Sequence, residues 1–323
     1  MLRDYFSFRF CVSAILLVIV AGGCKQNVNP GQETKSLHRP ISLLLEANIN
    51  GDIMGRQLSR PFGIDADNSG NIFVIDAGNN RLLEFDSSLQ PVREVGGFGT
   101  LEGLLNAPTF VTIDNNLNIY VSDGDNQRIS VFDAQLNYVD KIDLIDPDDP
   151  LKFGRPSGLA INDYGELWIS DPDNSRISVF NVSSAFDHFV GDKETYFGLL
   201  LMPRDIAKGA RSRMVVSDEG KARVFGFDSF GIYLFDFGRD ILSKPSGVDL
   251  DSDGNIWVTD IGLSAAFCFA PSGDLLFSTA NQGSTIVPGL DRPHDIAVIS
   301  GGRLAISDTG NDRILIYKII YAE

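Results

Sequence analysis

The sequence predicts an all-β fold: a six-bladed β-propeller of four-stranded antiparallel blades, closed by an N-terminal strand in the last blade. Three observations carry this. The first is a repeat. The stretch Pro61 to Asp86, PFGIDADNSGNIFVIDAGNNRLLEFD, returns five more times before the C-terminus. The second is its period. The aspartates that close the second strand of each copy are Asp76, Asp123, Asp171, Asp218, Asp260 and Asp308, spaced 47, 48, 47, 42 and 48 residues apart. The third is its content. Each copy holds only short apolar runs and turn residues, and strand-only units of this length assemble as radial blades.

Within a copy, the first strand follows a proline, as in Gly63–Asp65 and Asp295–Ile299, and leads into a Gly/Asn/Asp-rich turn. The second strands, among them Ile72–Ile75 and Ile256–Val258, are continuously apolar. That pattern suits strands covered on both faces by neighbouring blades. Trp168 and Trp257 share one column of these strands and read as inter-blade packing. Third strands end on an aromatic residue, from Leu82–Phe85 to Ile314–Tyr317, and fourth strands follow in five copies. The last copy has no room for a fourth strand, whereas Ile41–Ile49 has strand character and belongs to no copy. A ring of blades must close or expose a raw edge. Ile41–Ile49 is therefore predicted to pair with Arg313–Ile319.

Ahead of the repeats, residues 1–23 place Arg3 and Arg9 before the apolar run Phe10–Ala21, followed by Gly22-Gly23. A run of about 12 residues is too short to span a bilayer and fits a secretory signal. Ala21-Gly22-Gly23-Cys24 resembles a bacterial lipoprotein processing site, which implies a lipidated Cys24 as the first mature residue. Residues 24–40 are then a polar tether containing His38, and 41–323 the propeller. The resemblance implies an exported, lipid-anchored protein of the cell envelope. Lys25 after the cysteine leans towards the outer membrane.

Net charge is −16 over the whole chain and about −17 without the leader. Such a charge repels phosphate backbones and argues against nucleic-acid binding. Of the three cysteines, Cys11 lies in the leader and Cys24 at the processing site, so no pair remains for a disulfide. Cys268 falls in a mostly apolar column and reads as a buried, inert thiol.

The run Phe62-Gly63-Ile64, Gly70-Asn71-Ile72-Phe73-Val74, Asp76, Gly78-Asn79-Asn80-Arg81 resembles the NHL-repeat family of six-bladed β-propellers. The resemblance extends over residues 41–320. Blade five departs with Ala265 in place of the arginine, and blade four with Lys208–Arg213 in place of the Asp/Gly turn. The family holds binding modules, signalling modules and some enzymes, so the resemblance implies fold more than activity.

Five blades pair an aspartate with an arginine five residues on: Asp76/Arg81, Asp123/Arg128, Asp171/Arg176, Asp218/Arg223 and Asp308/Arg313. A planar guanidinium suits a fixed carboxylate, and a motif repeated around a ring is structural. Asp249-Leu250-Asp251-Ser252-Asp253-Gly254 matches the start of a calcium loop, but its flanks are strands, and Asp-Gly is a strong hairpin signal. The hairpin reading takes precedence over calcium, and no cofactor is expected.

First strands line the channel, so function is sought after each blade-opening proline, at Phe62, Thr109, Ser157, Arg204, Ser246 and His294. Amidating-lyase propellers, which resemble this family, gather several histidines there around zinc. Here only His38, His188 and His294 exist, and one imidazole builds no three-ligand site. Arg204, Asp205, Ser246, His294 and Asp295 form the remaining polar set, able to bind a small polar or anionic ligand or to run acid–base chemistry as a lyase or lactonase. The alternative is that Asp205 and Asp295 cap backbone amides. Between blades, the loops Gly96–Ala107, Asp146–Arg155, Gly191–Met202, Arg239–Lys244 and Thr279–Arg292 vary most. Variable loops on a rigid scaffold carry recognition. The acidic Asp146–Pro150 and apolar Tyr196–Met202 are candidate contacts. The leading expectation is a monomeric, non-catalytic scaffold for a protein or glycan partner.

Overall fold

Six four-stranded antiparallel sheets stand around a central channel in the computed structural model, which describes residues 39–144, 151–192, 198–210, 213–281 and 289–322. The inner strands are Pro61–Ala66, Pro108–Ile113, Leu159–Ile161, Pro203–Lys208, Pro245–Leu250 and Pro293–Ile299. From each, the chain meanders outwards through three more strands, and the sequence-predicted blades fall where the period places them. The leader, Cys24, the tether with His38, the acidic Asp146–Pro150 and the start of Tyr196–Met202 lie outside the described residues.

The last blade is completed by Pro40–Asn50. It pairs antiparallel with Arg313–Tyr321, with Pro40 opposite Tyr321, Leu43 opposite Ile319 and Asn50 opposite Arg313. The closing strand expected from Ile41–Ile49 is thus observed, one residue longer at each end. Its pairing hides a run of backbone donors and acceptors that an open ring would present to other chains.

The second strands are buried along their whole length in four blades, because each is sandwiched between sheets. Apolar clusters therefore sit between blades. Trp168 packs with Met214 and Phe225 of the next blade, and Trp257 with Leu304 and Tyr317. Cys268 is fully buried in the latter cluster, and burial pushes its thiol far above the usual range. Hairpins from first to second strand turn on a side-chain clamp. Asp251 accepts from the backbone amides of Asp253 and Asn255, both at 3.0 Å, and from Asn255 Nδ2 at 2.9 Å. Asp67 and Asp114 repeat this with Asn71 and Asn118. The calcium-like sequence is a hairpin turn.

Asp–Arg loop pairs form in four of the five predicted blades. Nε of the arginine meets the carboxylate at 2.8 Å in Asp76–Arg81 and Asp123–Arg128, 3.2 Å in Asp171–Arg176 and 2.6 Å in Asp308–Arg313. Blade four corrects the prediction. Arg223 turns to Asp236 on the outer strand, while Asp218 accepts from the backbone amides of Leu201 (2.7 Å), Met202 (3.1 Å) and Lys221 (2.8 Å). The cause is local. Where the pair forms, an asparagine three residues after the aspartate, Asn79, Asn126, Asn174 or Asn311, also donates to it. Blade four has Lys221 there.

Candidate functional site at the channel mouth

The residue after each blade-opening proline lies at the rim of the channel, and the next residue lies one layer down. This alternation of a β-strand divides the predicted polar set between two layers. Arg204, Ser246 and His294 are in the upper layer, where Ser246 is itself buried, and Asp205 and Asp295 below are buried at 5% and 3% exposure.

In the lower layer the carboxylates join blades. Asp205 Oδ2 accepts the Val248 amide of blade five at 2.9 Å, and Asp295 Oδ2 accepts the Ile64 amide of blade one at 2.8 Å. Two further aspartates do the same two residues further along the inner strand. Asp249 accepts the Val298 amide at 2.6 Å, and Asp65 accepts the Ile113 amide at 3.0 Å. The four bonds run without a break from blade four through five, six and one to two. Asp205 and Asp295 fit because glycine precedes each around the ring. A Cβ on Gly158 would lie 2.3 Å from Asp205 Cα, and one on Gly247 2.5 Å from Asp295 Cα.

Burial away from water dominates the titration of these acids, since it disfavours the charged form. It raises Asp65 to about 6 and Asp249 to about 7. Asp205 and Asp295 are hydrogen-bonded to each other, and both are driven well above the carboxylate range, Asp295 by burial and then by the charge of Asp205. Both shifts favour the protonated form, so the pair is not fully ionised at neutral pH. A cavity of about 180 Å³ opens below, lined by these aspartates together with Ile64, Ala160 and Lys208.

At the mouth the chemistry differs. His294 stacks on Phe62 with ring centroids 3.9 Å apart, and Phe62 meets Phe110 edge-on at 5.5 Å. Ser246 Oγ is 3.5 Å from His294 Nδ1. Burial, then Arg204 and Arg292, hold the imidazole down at about 4, so it is neutral at pH 7. Arg204 donates from Nε to Glu219 at 2.6 Å, and Lys244 Nζ lies 3.9 Å from the other Glu219 oxygen. Neither Arg204 nor His294 bonds to Asp205 or Asp295. The His188 ring meets its neighbour Asp187 at 2.7 Å on the outer strand of blade three, away from the channel. Among the described residues, no group of three or more His, Cys, Asp or Glu is arranged to hold a metal ion.

As channel features, three were missed by the sequence reading. Asp65 and Asp249 sit two residues beyond the positions examined after each proline. Arg60 and Arg292, just before the prolines, line a mouth cavity of about 310 Å³ together with Phe62, Thr109 and His294. The third is a hydroxyl before the closing aspartate in five blades: Ser122, Ser170, Ser217, Thr259 and Ser307. Ser122, Ser217, Thr259 and Ser307 donate to a carbonyl at the start of the next blade, Thr259 to His294 O at 3.2 Å. A column of small hydroxyls inside otherwise apolar strands was the available signal.

Ring and repeats together define the class, a six-bladed β-propeller, and the NHL-repeat family model matches three stretches of it, residues 105–132, 153–180 and 290–317. Among curated proteins, the chain is similar to peptidyl-alpha-hydroxyglycine alpha-amidating lyase 1 of Drosophila melanogaster, 31% identical over 93 residues. It is also similar to rat (Rattus norvegicus) peptidylglycine alpha-amidating monooxygenase, 36% identical over 80 residues. The matched stretches cover 27% and 22% of this chain but only 17% and 8% of those proteins. Among solved structures, virginiamycin B lyase from Staphylococcus aureus with quinupristin superposes with a TM-score of 0.61 at 14% identity, covering 85% of this chain and 99% of that one. A Bacteroides thetaiotaomicron protein of unknown function gives 0.63 at 15%, with 87% and 75% covered. At such identities the likeness is one of fold.

Proposed function

We propose that this protein is a lipid-tethered envelope propeller that binds a protein or glycan partner through the loops and mouth of one face, without catalysing a reaction. The observation that carries the reading is the occupation of the hub acids. Asp205 and Asp295, the carboxylates an acid–base enzyme would need, each accept a backbone amide of the next blade. They are fasteners. Exposed chemistry lies instead on the mouth face, where Phe98 and Leu101 are 76% and 73% exposed. Their loop is held firmly, since Arg128 donates to the carbonyls of Thr100 (3.0 Å), Leu101 (3.1 Å) and Leu104 (2.7 Å). Two large apolar side chains on a fixed loop favour association over solvation. Export and anchoring rest on the leader and Cys24.

The test is photocrosslinking in envelope extract, with the crosslinker at Leu101 or, as a control, at Phe230 in the hairpin between the outer two strands of blade four. Capture from Leu101 alone supports the reading. Equal capture from both, or none from Leu101, contradicts it.

A second reading, a lyase, is favoured by one observation: a neutral imidazole 3.5 Å from a hydroxyl at the mouth, a pairing suited to proton abstraction. In that case turnover of a candidate substrate would be lost in His294→Ala and kept in Asp205→Asn, with the fold unchanged.

A further inference from the structure

From the mouth cavity we infer a subsite for an organic anion, a carboxylate attached to a flat apolar group, held between Phe62 and the guanidinium groups of Arg60 and Arg292. The inference rests on the reading of this face as the binding face and names the chemistry it recognises. Three independent features converge. The first is shape and lining. The cavity of about 310 Å³ has Phe62, Ala77, Ala107 and Pro108 as apolar walls and two arginines at its rim. A cavity of that size accepts an aryl or branched aliphatic group, and Phe62, backed by His294 and Phe110, offers a fixed aromatic surface.

The second is exposed positive charge. Arg60 is exposed and, among the described residues, forms no ion pair. The Arg292 side chain is 66% exposed and pairs with its neighbour Asp291, at 3.4 Å from Nε, while its backbone amide donates to Ser264 Oγ at 3.4 Å. In a chain of net charge −16, two arginines that converge on a cavity without carboxylates in its lining make a local exception. A guanidinium fork matches a carboxylate better than any neutral polar group.

Backbone strain is the third. Arg60 and Arg292 both adopt φ of 47°, in the left-handed region. Residues before proline avoid helical conformations, and bulky residues avoid positive φ. Ala107 makes the same turn in blade two, with φ of 51°, so the geometry belongs to this side of the ring. Its pins are Asp312 Oδ1, which accepts the Arg60 amide at 2.7 Å, and Asn80 Oδ1, which accepts the Ala107 amide at 2.8 Å. In blades six and one the turn carries a guanidinium to the mouth. Strain of this kind persists where the surroundings over-determine it and marks places where position matters.

The experiment is calorimetric titration of the full propeller with phenylacetate and with phenylacetamide, which share shape and differ in charge. Phenylacetate should bind, and the amide should bind at least about tenfold more weakly. Arg60→Ala and Arg292→Ala should each weaken phenylacetate about tenfold without moving the thermal midpoint, because both side chains are exposed. The NMR titration of His294 should shift upwards when the anion is bound, since a nearby negative charge favours the imidazolium. Equal affinity for acid and amide, no binding of either, or unaltered affinity in both arginine variants would overturn the inference. A tetrapeptide ending in phenylalanine, free or amidated, separates the sources. Tighter binding of the free-acid peptide than of phenylacetate assigns the subsite to a chain terminus, and the reverse order to a free small acid. If Leu101 crosslinking persists while phenylacetate fails to bind, the anion subsite is wrong and the binding face stands.

Discussion

Asp295 condenses the chemistry of the hub. Its side chain sits against Gly247, accepts the Ile64 amide across the joint from blade six to blade one, and is hydrogen-bonded to Asp205. Asp295→Ala strands that amide and should destabilise the fold by about 1–3 kcal/mol, the cost of an unsatisfied buried donor. Asp295→Asn keeps an acceptor and should cost less, which urea unfolding at pH 7 will show. Acids raised by burial bind more protons in the folded than in the unfolded state. Their stabilisation is therefore complete below about pH 4 and is lost as pH rises through the folded values. For Asp65 and Asp249 those values are about 6 and about 7, so the urea midpoint should fall between pH 5 and pH 8. His294, held at about 4, acts with the opposite sign but only below its ordinary value near 6.5. Gly247→Ala would drive a Cβ to within 2.4 Å of Asp295 Oδ1 and should weaken the same joint. Little of this was legible in sequence. The aspartates were visible, but burial and the amides they cap depend on the neighbouring blade, 43 to 49 residues away for Asp205, Asp65 and Asp249 and 231 for Asp295.

At the scale of the element, the loop clamp distinguishes blades that look alike in sequence. Arg128 is 5% exposed, pairs with Asp123 and holds three loop carbonyls. Removing one partner of a buried pair leaves an uncompensated charge, so Arg128→Ala should cost roughly 3–5 kcal/mol. The blade-four counterpart, Arg223→Ala, should cost about 1 kcal/mol, because Arg223 contacts a partly exposed Asp236 and leaves Asp218 with its backbone donors. Denaturant unfolding of the two variants side by side checks the contrast. Spacing predicted both pairs equally. The asparagine at the third loop position, present in the four blades whose pair forms, was the missing discriminator. Hairpins were more legible, because an Asp-x-x-x-Asn turn is a local device that needs no neighbour.

Across the whole molecule, one strand decides whether the ring is closed. Pro40–Asn50 is bonded along Arg313–Tyr321, and its Leu43 is fully buried beside Tyr317 and Ile319. A chain beginning at residue 51 should expose the edge of Arg313–Tyr321 and associate in a concentration-dependent way, visible by light scattering, whereas one beginning at residue 39 should remain dispersed. This closure was the most legible long-range feature, since counting strands per repeat left one missing at the end and one unassigned at the start. The mouth was the least legible. Arg60, Phe62 and Arg292 meet only when blade six returns to blade one, so no local pattern announces them.

The account rests on hub carboxylates that fasten blades, leaving recognition to the mouth face. Amide hydrogen exchange at Ile64, Ile113, Val248 and Val298, in wild type and Asp295→Ala, tests it most directly. These four amides should be among the slowest to exchange, and Asp295→Ala should speed Ile64 more than Ile113. Exchange at Ile64 as fast as in surface loops, or unchanged in the variant, would contradict the account.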